Sequence, residues 1–343
     1  MIPETTIDRA VGAAHGLALG DALGSPASEH RTIRDPWVRS MLRQGAAELD
    51  RSRVHRPVVP FVLKATGVHS LAPTDDAESF AVSAQVLLAA GADASADALF
   101  DAWVAVMDHD DVWASGAQRS ALLNAASGLR PPQTGRDNPA FYDDSALPGA
   151  VAAGIASTGP EAAAALAGRL ASITHDAVGV AAAAAVAALV SRLVSGAALD
   201  DALTAAGAAA ATDDWLADGI RDAERILRDA PSPFAALPAL IARFAPRTYS
   251  HPGTVAETLP LALGFVRATS GRHDQAIPLA MTVARHQDSL PAIVGAICGA
   301  AGSPVDGGDV DALHGVTVPS LAGRSLSALA RELSGLREAR CAP

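Results

Sequence analysis

Apolar residues recur with the period of an α-helix along most of the chain, and polar stretches containing glycine or proline interrupt them. This pattern predicts helices at residues 7–23, 74–90, 95–107, 146–155, 160–170, 176–193, 199–210, 213–229, 233–244, 255–268, 273–284 and 290–301. A last amphipathic helix is indicated by a leucine stripe at Leu326, Leu329, Leu333 and Leu336. Residues 128–138, which include Pro131, Pro132 and Gly135, are predicted to form a loop. Because no run alternates as a strand does, the predicted fold class is all-α.

The first predicted helix carries a row of glycines. Gly12, Gly16, Gly20 and Gly24 recur at a spacing of four, which places them on one stripe of the helix. Glycine destabilises a helix interior by about 1 kcal/mol relative to alanine, so several in register indicate that another group approaches this face closely. A neighbouring helix is the simpler interpretation, and a ligand near Gly20 and Asp21 is the alternative.

The composition adds the size and packing of the predicted bundle. The chain has 343 residues, of which 50% are hydrophobic and only 4% aromatic, and alanine dominates. We therefore predict one compact domain over residues 1–343 that packs through small side chains. An arginine-rich segment at about residues 30–60 is predicted to be a loop. It is either a solvated surface or a rim that attracts anions.

Charge and cysteine content exclude several classes of protein. The formal net charge of -11 argues against a nucleic-acid partner, because a polyanion is repelled at long range. Two cysteines provide no disulfide framework, as expected in a reducing cytoplasm. The first residues lack the pattern of a secretory signal. The longest alanine run, residues 177–190, is shorter than the about 18 residues of a membrane span. We therefore expect a cytoplasmic protein without a membrane or nucleic-acid partner.

Polar clusters precede several predicted helices. Thr74, Asp75 and Asp76 offer hydroxyl and carboxylate oxygens, the ligands that Mg²⁺ and Mn²⁺ prefer. The alternative is an ordinary helix start, with Thr74 as N-cap and acids favoured by the helix dipole. A second set, His286, Asp288 and Ser289, stands before a helix of small residues, and its alternative is again an N-cap at Ser289.

Two further clusters lie in the middle of the chain. Thr174 and His175 come before the long alanine-rich helix, where the helix dipole tends to keep an imidazole neutral and able to bind a ligand by a hydrogen bond. A structural histidine is the alternative. Asp143, Asp144 and Ser145 form the other cluster, for which a capped loop is the alternative.

The order of these motifs resembles that of the ADP-ribosylglycohydrolases. The resemblance covers nearly the whole chain, and each of its motifs is moderately specific. It is carried by GAAHGLALGDALGSP at residues 12–26, Thr-Asp-Asp at 74–76, Thr-His at 174–175, Glu-Thr-Leu-Pro at 257–260 and Asp-Ser at 288–289 with the small-residue helix that follows. The resemblance implies a compact, orthogonal all-α bundle of that type, with a magnesium site at the base of a cleft that accepts ADP-ribose.

The resemblance also implies roles for single residues, and these are expectations. The expected metal ligands, for one or two Mg²⁺ with Mn²⁺ as the alternative, are Thr74, Asp75, Asp76, His286, Asp288 and Ser289. The expected contacts to ribose or diphosphate are Asp21, Asp144, Ser145 and His175. Either Asp75 or Asp76 is expected to be catalytic, coupling the metal to the attacking water.

The sequence departs from the family pattern in three places. His286 stands where the family has a metal-binding carboxylate, which predicts weaker occupancy of the second metal position or a shift towards Mn²⁺ or Zn²⁺. Residues 143–149 lack the arginine of the usual loop. Position 28 is serine instead of the usual acid, and Glu29 is displaced by one.

The expected function is metal-dependent hydrolysis of an N- or O-glycosidic bond of ADP-ribose attached to a protein or a small molecule. One alternative is an ADP-ribose-binding protein with impaired catalysis, and another is a hydrolase of a related nucleotide or nucleoside.

Two other classes of enzyme share single features with this sequence. Asp75, Asp76 and Glu78 are similar to the acidic motif of α-helical isoprenoid synthases, but those enzymes need more aromatic residues. His109 and Asp110 are similar to the doublet of a phosphohydrolase class, without partner histidines in order.

Overall fold

The computed structural model describes residues 4–32, 72–245, 253–283, 286 and 289–341. The helices in these ranges are α1 (Glu4–Thr32), α2 (Asp75–Ala90), α3 (Ala96–Met107), α4 (Gly116–Ala126), α5 (Gln133–Arg136), α6 (Leu147–Ala156), α7 (Pro160–Ala171), α8 (Val178–Val194), α9 (Leu199–Ala210), α10 (Asp214–Asp229), α11 (Pro233–Phe244), α12 (Val255–Ala268), α13 (His273–Met281), α14 (Ser289–Ala300) and α15 (Leu326–Cys341). The described ranges contain no strand, only two isolated bridges, Asp143 with Thr254 and Ala312 with Ser325. The predicted all-α class is confirmed.

The glycine stripe of α1 packs against α14. A Cβ atom at Gly12 would lie 2.7 Å from the carbonyl oxygen of Gly299, and one at Gly16 would overlap the carbonyl oxygen of Gly295. The contact is reciprocal, because a Cβ at Gly295 would overlap the carbonyl of Gly16. The neighbouring-helix interpretation is therefore confirmed: glycine at these positions lets two backbones approach more closely than side chains would allow.

Two helices form the centre of the bundle. The alanine-rich α8 is buried on nearly all sides and contacts α6, α7 and α9. Every residue of α14 is buried, and this helix contacts α1, α12 and α13. A helix that is apolar all round belongs in the interior of a protein. None of the described helices has the length and apolarity needed to cross a bilayer.

The structure corrects several predicted boundaries. Helix α4 was not predicted, because only Ala117 and Ala121 are buried in it and no apolar stripe forms, although Ser115 and Gln118 make a capping box. The predicted loop at 128–138 contains the short helix α5. Helix α1 extends to Thr32, well beyond residue 23. Most of the arginine-rich segment lies outside the described residues.

Helix α8 begins at Val178, two residues later than predicted. Ala177, immediately before it, has φ 42° and ψ -115°, a conformation unfavourable for a residue with a Cβ atom. His175 therefore lies ahead of the helix and not in its first turn, so the expected influence of the helix dipole on its imidazole does not apply in that form.

Candidate active site

The first turn of α2 is capped by a residue of another helix. Asp21 of α1 is 1% exposed, and its Oδ2 accepts hydrogen bonds from the backbone amides of Thr74 at 2.7 Å and Ala77 at 3.0 Å. The Thr74 hydroxyl donates to Asp21 Oδ1 and makes no capping hydrogen bond within α2. Thr74 thus occupies the predicted N-cap position, but its side chain does not cap the helix, because Asp21 satisfies the amides of the first turn.

Acidic side chains are concentrated at this helix start. Asp75, Asp76 and Glu78 all lie in the first turn of α2. Burial, followed by the charge of Asp75, raises the pKa of Asp21 to about 8, although the hydrogen bonds from Thr74 and Ala77 act in the opposite direction. Burial also raises the pKa of Asp75, with a contribution from the charge of Glu78. When carboxyl groups lie so close together that they do not all ionise easily, a bound cation is strongly stabilising.

Glu78 has a structural role beside the cluster. Its fully buried carboxylate accepts hydrogen bonds from the amides of Val316, Thr317 and Val318 at 2.6, 2.7 and 2.9 Å, and from the Thr317 hydroxyl at 2.6 Å. These contacts attach residues 316–318 to the first turn of α2. The orientation of that turn is thus held from two sides, by Asp21 and by Glu78.

A tight turn precedes α6. Asp143 Oδ1 accepts hydrogen bonds from the amide and hydroxyl of Ser145 at 3.0 and 2.6 Å and lies 2.8 Å from His175 Nε2. Burial acts to raise the pKa of Asp143, but the hydrogen bonds from His175 and Ser145 outweigh it and hold the pKa below its ordinary value. The alternative of a capped loop is confirmed for this segment, since Asp143 caps the short 3₁₀ helix Asp144–Ala146.

Asp144 points away from Asp143, towards two other helices. Its Oδ2 accepts a 2.6 Å hydrogen bond from the Thr258 hydroxyl of α12, and its Oδ1 lies 3.4 Å from the Ser289 hydroxyl at the start of α14. Its backbone amide donates to the carbonyl of Gly253 at 2.8 Å. Three segments that are distant in sequence therefore meet at one buried carboxylate.

His286 is fully buried beside this carboxylate and is engaged on both ring nitrogens. Nε2 lies 2.8 Å from Glu257 Oε2 and 3.1 Å from the carbonyl oxygen of Phe244, and Nδ1 lies 3.3 Å from the Thr258 hydroxyl. To bind a metal, the ring would have to give up one of these partners. Asp288, the expected ligand two residues further on, lies outside the described residues.

The packing brings the acidic start of α2 close to Asp144 and its partners Thr258 and Ser289. Gly20, next to Asp21, lies against the carbonyl of Pro291 in the first turn of α14, which begins at Ser289. A cavity of about 40 Å³ lies between Ser79 and Ser83 of α2 and Ser145. A space of this size admits water and not a nucleotide. The acidic start of α2, the start of α14 and the turn at 143–145 are thus neighbours in one region.

The donor atoms in this region favour a hard cation on the α2 side. Thr74, Asp75, Asp76 and Ser289 offer only oxygen, as Mg²⁺ requires. Within the described ranges, however, no three His, Cys, Asp or Glu side chains are placed to hold one ion together. The oxygen donors therefore fit Mg²⁺ in chemical type, whereas the imidazole of His286, which hydrogen bonds to Glu257, does not fit it.

Sequence reasoning named most of these residues but missed Thr258 and the roles of Glu257 and Glu78. Glu257 and Thr258 lie in the Glu-Thr-Leu-Pro motif, so a signal was present without an indication of what the side chains contact. Glu78 is three positions after Asp75, which places both on the same side of α2. Nothing in its sequence pattern indicates that it holds a loop more than two hundred residues away.

The fold and these residues define an all-helical protein with an acidic, oxygen-rich site where helices begin. The family profile described as ADP-ribosylglycohydrolase matches residues 2–342. The chain therefore belongs to the ADP-ribosylglycohydrolase family, and the resemblance seen in the motifs is confirmed. Family membership supports a hydrolase at a coarse level.

The same fold occurs in a solved structure. A chain of an "ADP-ribosylglycohydrolase-related protein complex" has a TM-score of 0.63 and 23% sequence identity, and the match covers 97% of this chain and 99% of that chain. At this identity the likeness concerns the fold alone, and it confirms the helical bundle. A search of curated protein sequences finds no significant match.

Proposed function

We propose that this protein is a magnesium-dependent hydrolase that cleaves an N- or O-glycosidic bond of ADP-ribose in a conjugate with a protein or a small molecule. The observation that supports this most is the cluster formed by Asp21, Thr74 and Asp75. Asp21 of α1 binds the start of α2, α1 packs against the start of α14 through Gly20, and two neighbouring carboxyl groups with raised pKa values, Asp21 and Asp75, lie at this point. This cluster lies in a chain that belongs over nearly its whole length to a glycohydrolase family.

The residues proposed to hold the cation are Thr74, Asp75, Asp76 and Ser289, with Asp288 beside Ser289 in sequence. We assign one strong position for Mg²⁺ or Mn²⁺ to the α2 side, and a second, weaker ion near His286 remains the alternative. A bound Mg²⁺ would supply positive charge that orients ribose hydroxyls and favours departure of the leaving group.

The protein residues would divide the remaining work. Asp75 or Asp76 accepts the proton of the attacking water, and burial raises the pKa of Asp75 above its ordinary value, which favours uptake of a proton by this carboxylate. Asp21 keeps the α2 turn in register by binding the amides of Thr74 and Ala77. Asp144, which lies beside Ser289, and its neighbour Ser145 are proposed to contact the ribose or diphosphate.

A second function, ADP-ribose binding without efficient hydrolysis, is favoured by one observation. The imidazole of His286 is hydrogen bonded to Glu257 at 2.8 Å and takes the place of a metal-binding carboxylate. A protein that retains the cleft but holds its cation weakly would bind ADP-ribose and turn over slowly. Hydrolysis of a related nucleotide or nucleoside is the remaining alternative.

The test is release of ADP-ribose from arginine-linked, serine-linked and small-molecule conjugates in the presence of Mg²⁺, Mn²⁺ or a chelator. We expect metal-dependent release that Asp75→Ala abolishes. The matched control is Asp201→Ala, which removes an exposed first-turn acid from α9, far from the site in sequence. If no conjugate is cleaved, titration with ADP-ribose decides between the binding protein and a different substrate.

A further inference from the structure

The imidazole of His175 is enclosed by protein groups. The residue is 1% exposed, Nδ1 lies 2.7 Å from the Thr174 hydroxyl, and Nε2 lies 2.8 Å from Asp143 Oδ1. The Ser145 hydroxyl is 3.4 Å from the same Nε2. A ligand could reach neither ring nitrogen without displacing one of these partners. His175 is therefore poorly placed for the direct ligand contact that the family resemblance implies.

The segment that carries His175 is closely packed against neighbouring backbone. A Cβ atom at Gly179 would lie 3.0 Å from His175 Cβ and Cδ2, and one at Gly135 would lie 2.9 Å from the His175 carbonyl carbon. The Asn138 side-chain amide donates to the Thr174 carbonyl at 2.9 Å. Two glycines and a buried amide thus fix the segment that carries the imidazole.

Ser145, His175 and Asp143 have the residue types of a hydrolytic triad, but their geometry excludes that role. In such a triad the carboxylate binds Nδ1 and the serine binds Nε2. Here both partners lie at Nε2, and the Ser145 hydroxyl donates to Asp143 at 2.6 Å. The proton of the serine is directed at the carboxylate, so the imidazole does not act as its base.

The imidazole of His175 instead fixes the side chain of Asp143 by a hydrogen bond, and Asp143 stabilises the 143–145 turn, which carries Asp144. Asp143 Oδ1 accepts from His175 Nε2 and from the amide and hydroxyl of Ser145. A buried carboxylate that loses one of its donors is destabilised and tends to rearrange. Any rearrangement of Asp143 shifts the next residue, Asp144, whose oxygens meet Thr258 at 2.6 Å and Ser289 at 3.4 Å.

We propose that His175 is a positioning residue that acts through Asp143 to set the orientation of Asp144 and Ser145, and that it makes no contact with the bound ligand. The part of this proposal that concerns ligand affinity rests on the proposed function, in which Asp144 and Ser145 bind the ADP-ribose moiety. The part that concerns the turn is a property of the free protein.

Amide hydrogen exchange in the ligand-free protein tests the positioning role directly. His175→Leu removes the donor to Asp143, whereas His175→Gln retains an amide donor near the position of Nε2. We expect His175→Leu to accelerate exchange of the Ser145 amide at least tenfold and His175→Gln to restore its protection. If both variants fold, exchange of the Ala185 amide in the centre of α8 should be unchanged in them. The control variant His273→Leu, at the start of α13, should leave exchange of the Ser145 amide unaffected. Unchanged exchange of Ser145 in a folded His175→Leu variant would overturn the proposal.

A double-mutant cycle read by calorimetric titration with ADP-ribose separates an indirect role from direct contact. His175→Leu should weaken ADP-ribose binding about tenfold in the native background and cause no further loss in the Asp143→Asn background. An equal loss in both backgrounds would show that the imidazole touches the ligand and would overturn the proposal. Absence of ADP-ribose binding by the unaltered protein would contradict the proposed function instead, and the exchange result would then decide the positioning role alone.

Discussion

Asp21 and Thr74, more than fifty residues apart in sequence, are joined by a 2.7 Å hydrogen bond from the Thr74 amide and by a second one from its hydroxyl. Helix α1 thereby supplies the cap that α2 lacks. The same carboxylate lies beside Asp75, so a single residue connects the stability of this helix start with the charge of the candidate site.

Replacing Asp21 should destabilise the protein according to the number of acceptors that remain. Asp21→Ala leaves the amides of Thr74 and Ala77 without their acceptor, and we expect a loss of about 2 kcal/mol in the free energy of unfolding. Asp21→Asn retains a carbonyl oxygen and should lose less. Urea denaturation measures both, with the exposed Asp8→Ala of the same helix as control. Equal stability of Asp21→Ala and the control would contradict a capping role.

The stability of the metal-free protein should fall as the pH rises from about 4 to about 8. The pKa of Asp21 is about 8 in the folded protein against an ordinary value of 3.8, so the folded state binds the proton more tightly than the unfolded state in that interval. Stability is therefore highest with Asp21 protonated and is lost on ionisation. Thermal unfolding measured across this pH range in the presence of a chelator should show a weaker pH dependence of stability in Asp21→Asn.

Added Mg²⁺ should restore the stability of the unaltered protein at pH 8. If Mg²⁺ has no effect on stability at that pH, a cation site at this cluster is contradicted.

Substitutions in the segment 286–289 should alter metal affinity unequally. Asp288→Ala should abolish Mg²⁺ binding more fully than His286→Ala, because the His286 imidazole is hydrogen bonded to Glu257. His286→Asp should tighten Mg²⁺ binding, since it replaces a nitrogen donor by a carboxylate. Calorimetric titration with Mg²⁺ provides the comparison. Equal losses in the two alanine variants would contradict the first expectation, and an unchanged affinity in His286→Asp would place position 286 outside the coordination shell.

A methyl group added at the contact of α1 with α14 should be poorly tolerated. Gly16→Ala or Gly295→Ala places a Cβ atom against a backbone carbonyl, which cannot move aside as a side chain can, and we expect a loss of about 2 kcal/mol or more. The matched control is Gly207→Ala in α9, where no atom lies within 4 Å of the added Cβ. That variant should gain about 0.5 to 1 kcal/mol from helix propensity. Denaturant unfolding of the three variants decides whether the contact or the loss of glycine itself is responsible.

The helices that could be predicted are those whose apolar stripe is long and regular. Residues 199–210, 233–244 and 255–268 were predicted with the boundaries that the structure has. Helix α4 was missed because it buries only two alanines, and the start of α8 was misplaced because Ala177 adopts a conformation that its residue type does not indicate. In neither case does a repeating apolar pattern in the sequence mark the helix or its boundary.

The sequence by itself determined the all-α class, the glycine stripe on α1 and the polar clusters at helix starts, because each depends on spacing within a short segment. Only the tertiary structure decided the partners of those residues. Asp21 caps α2, His175 holds Asp143, and His286 binds Glu257, through contacts that span 29 to 53 residues of sequence. Such contacts depend on how whole helices pack around the buried α8 and α14, and local patterns of residues do not record the distances and directions that packing creates.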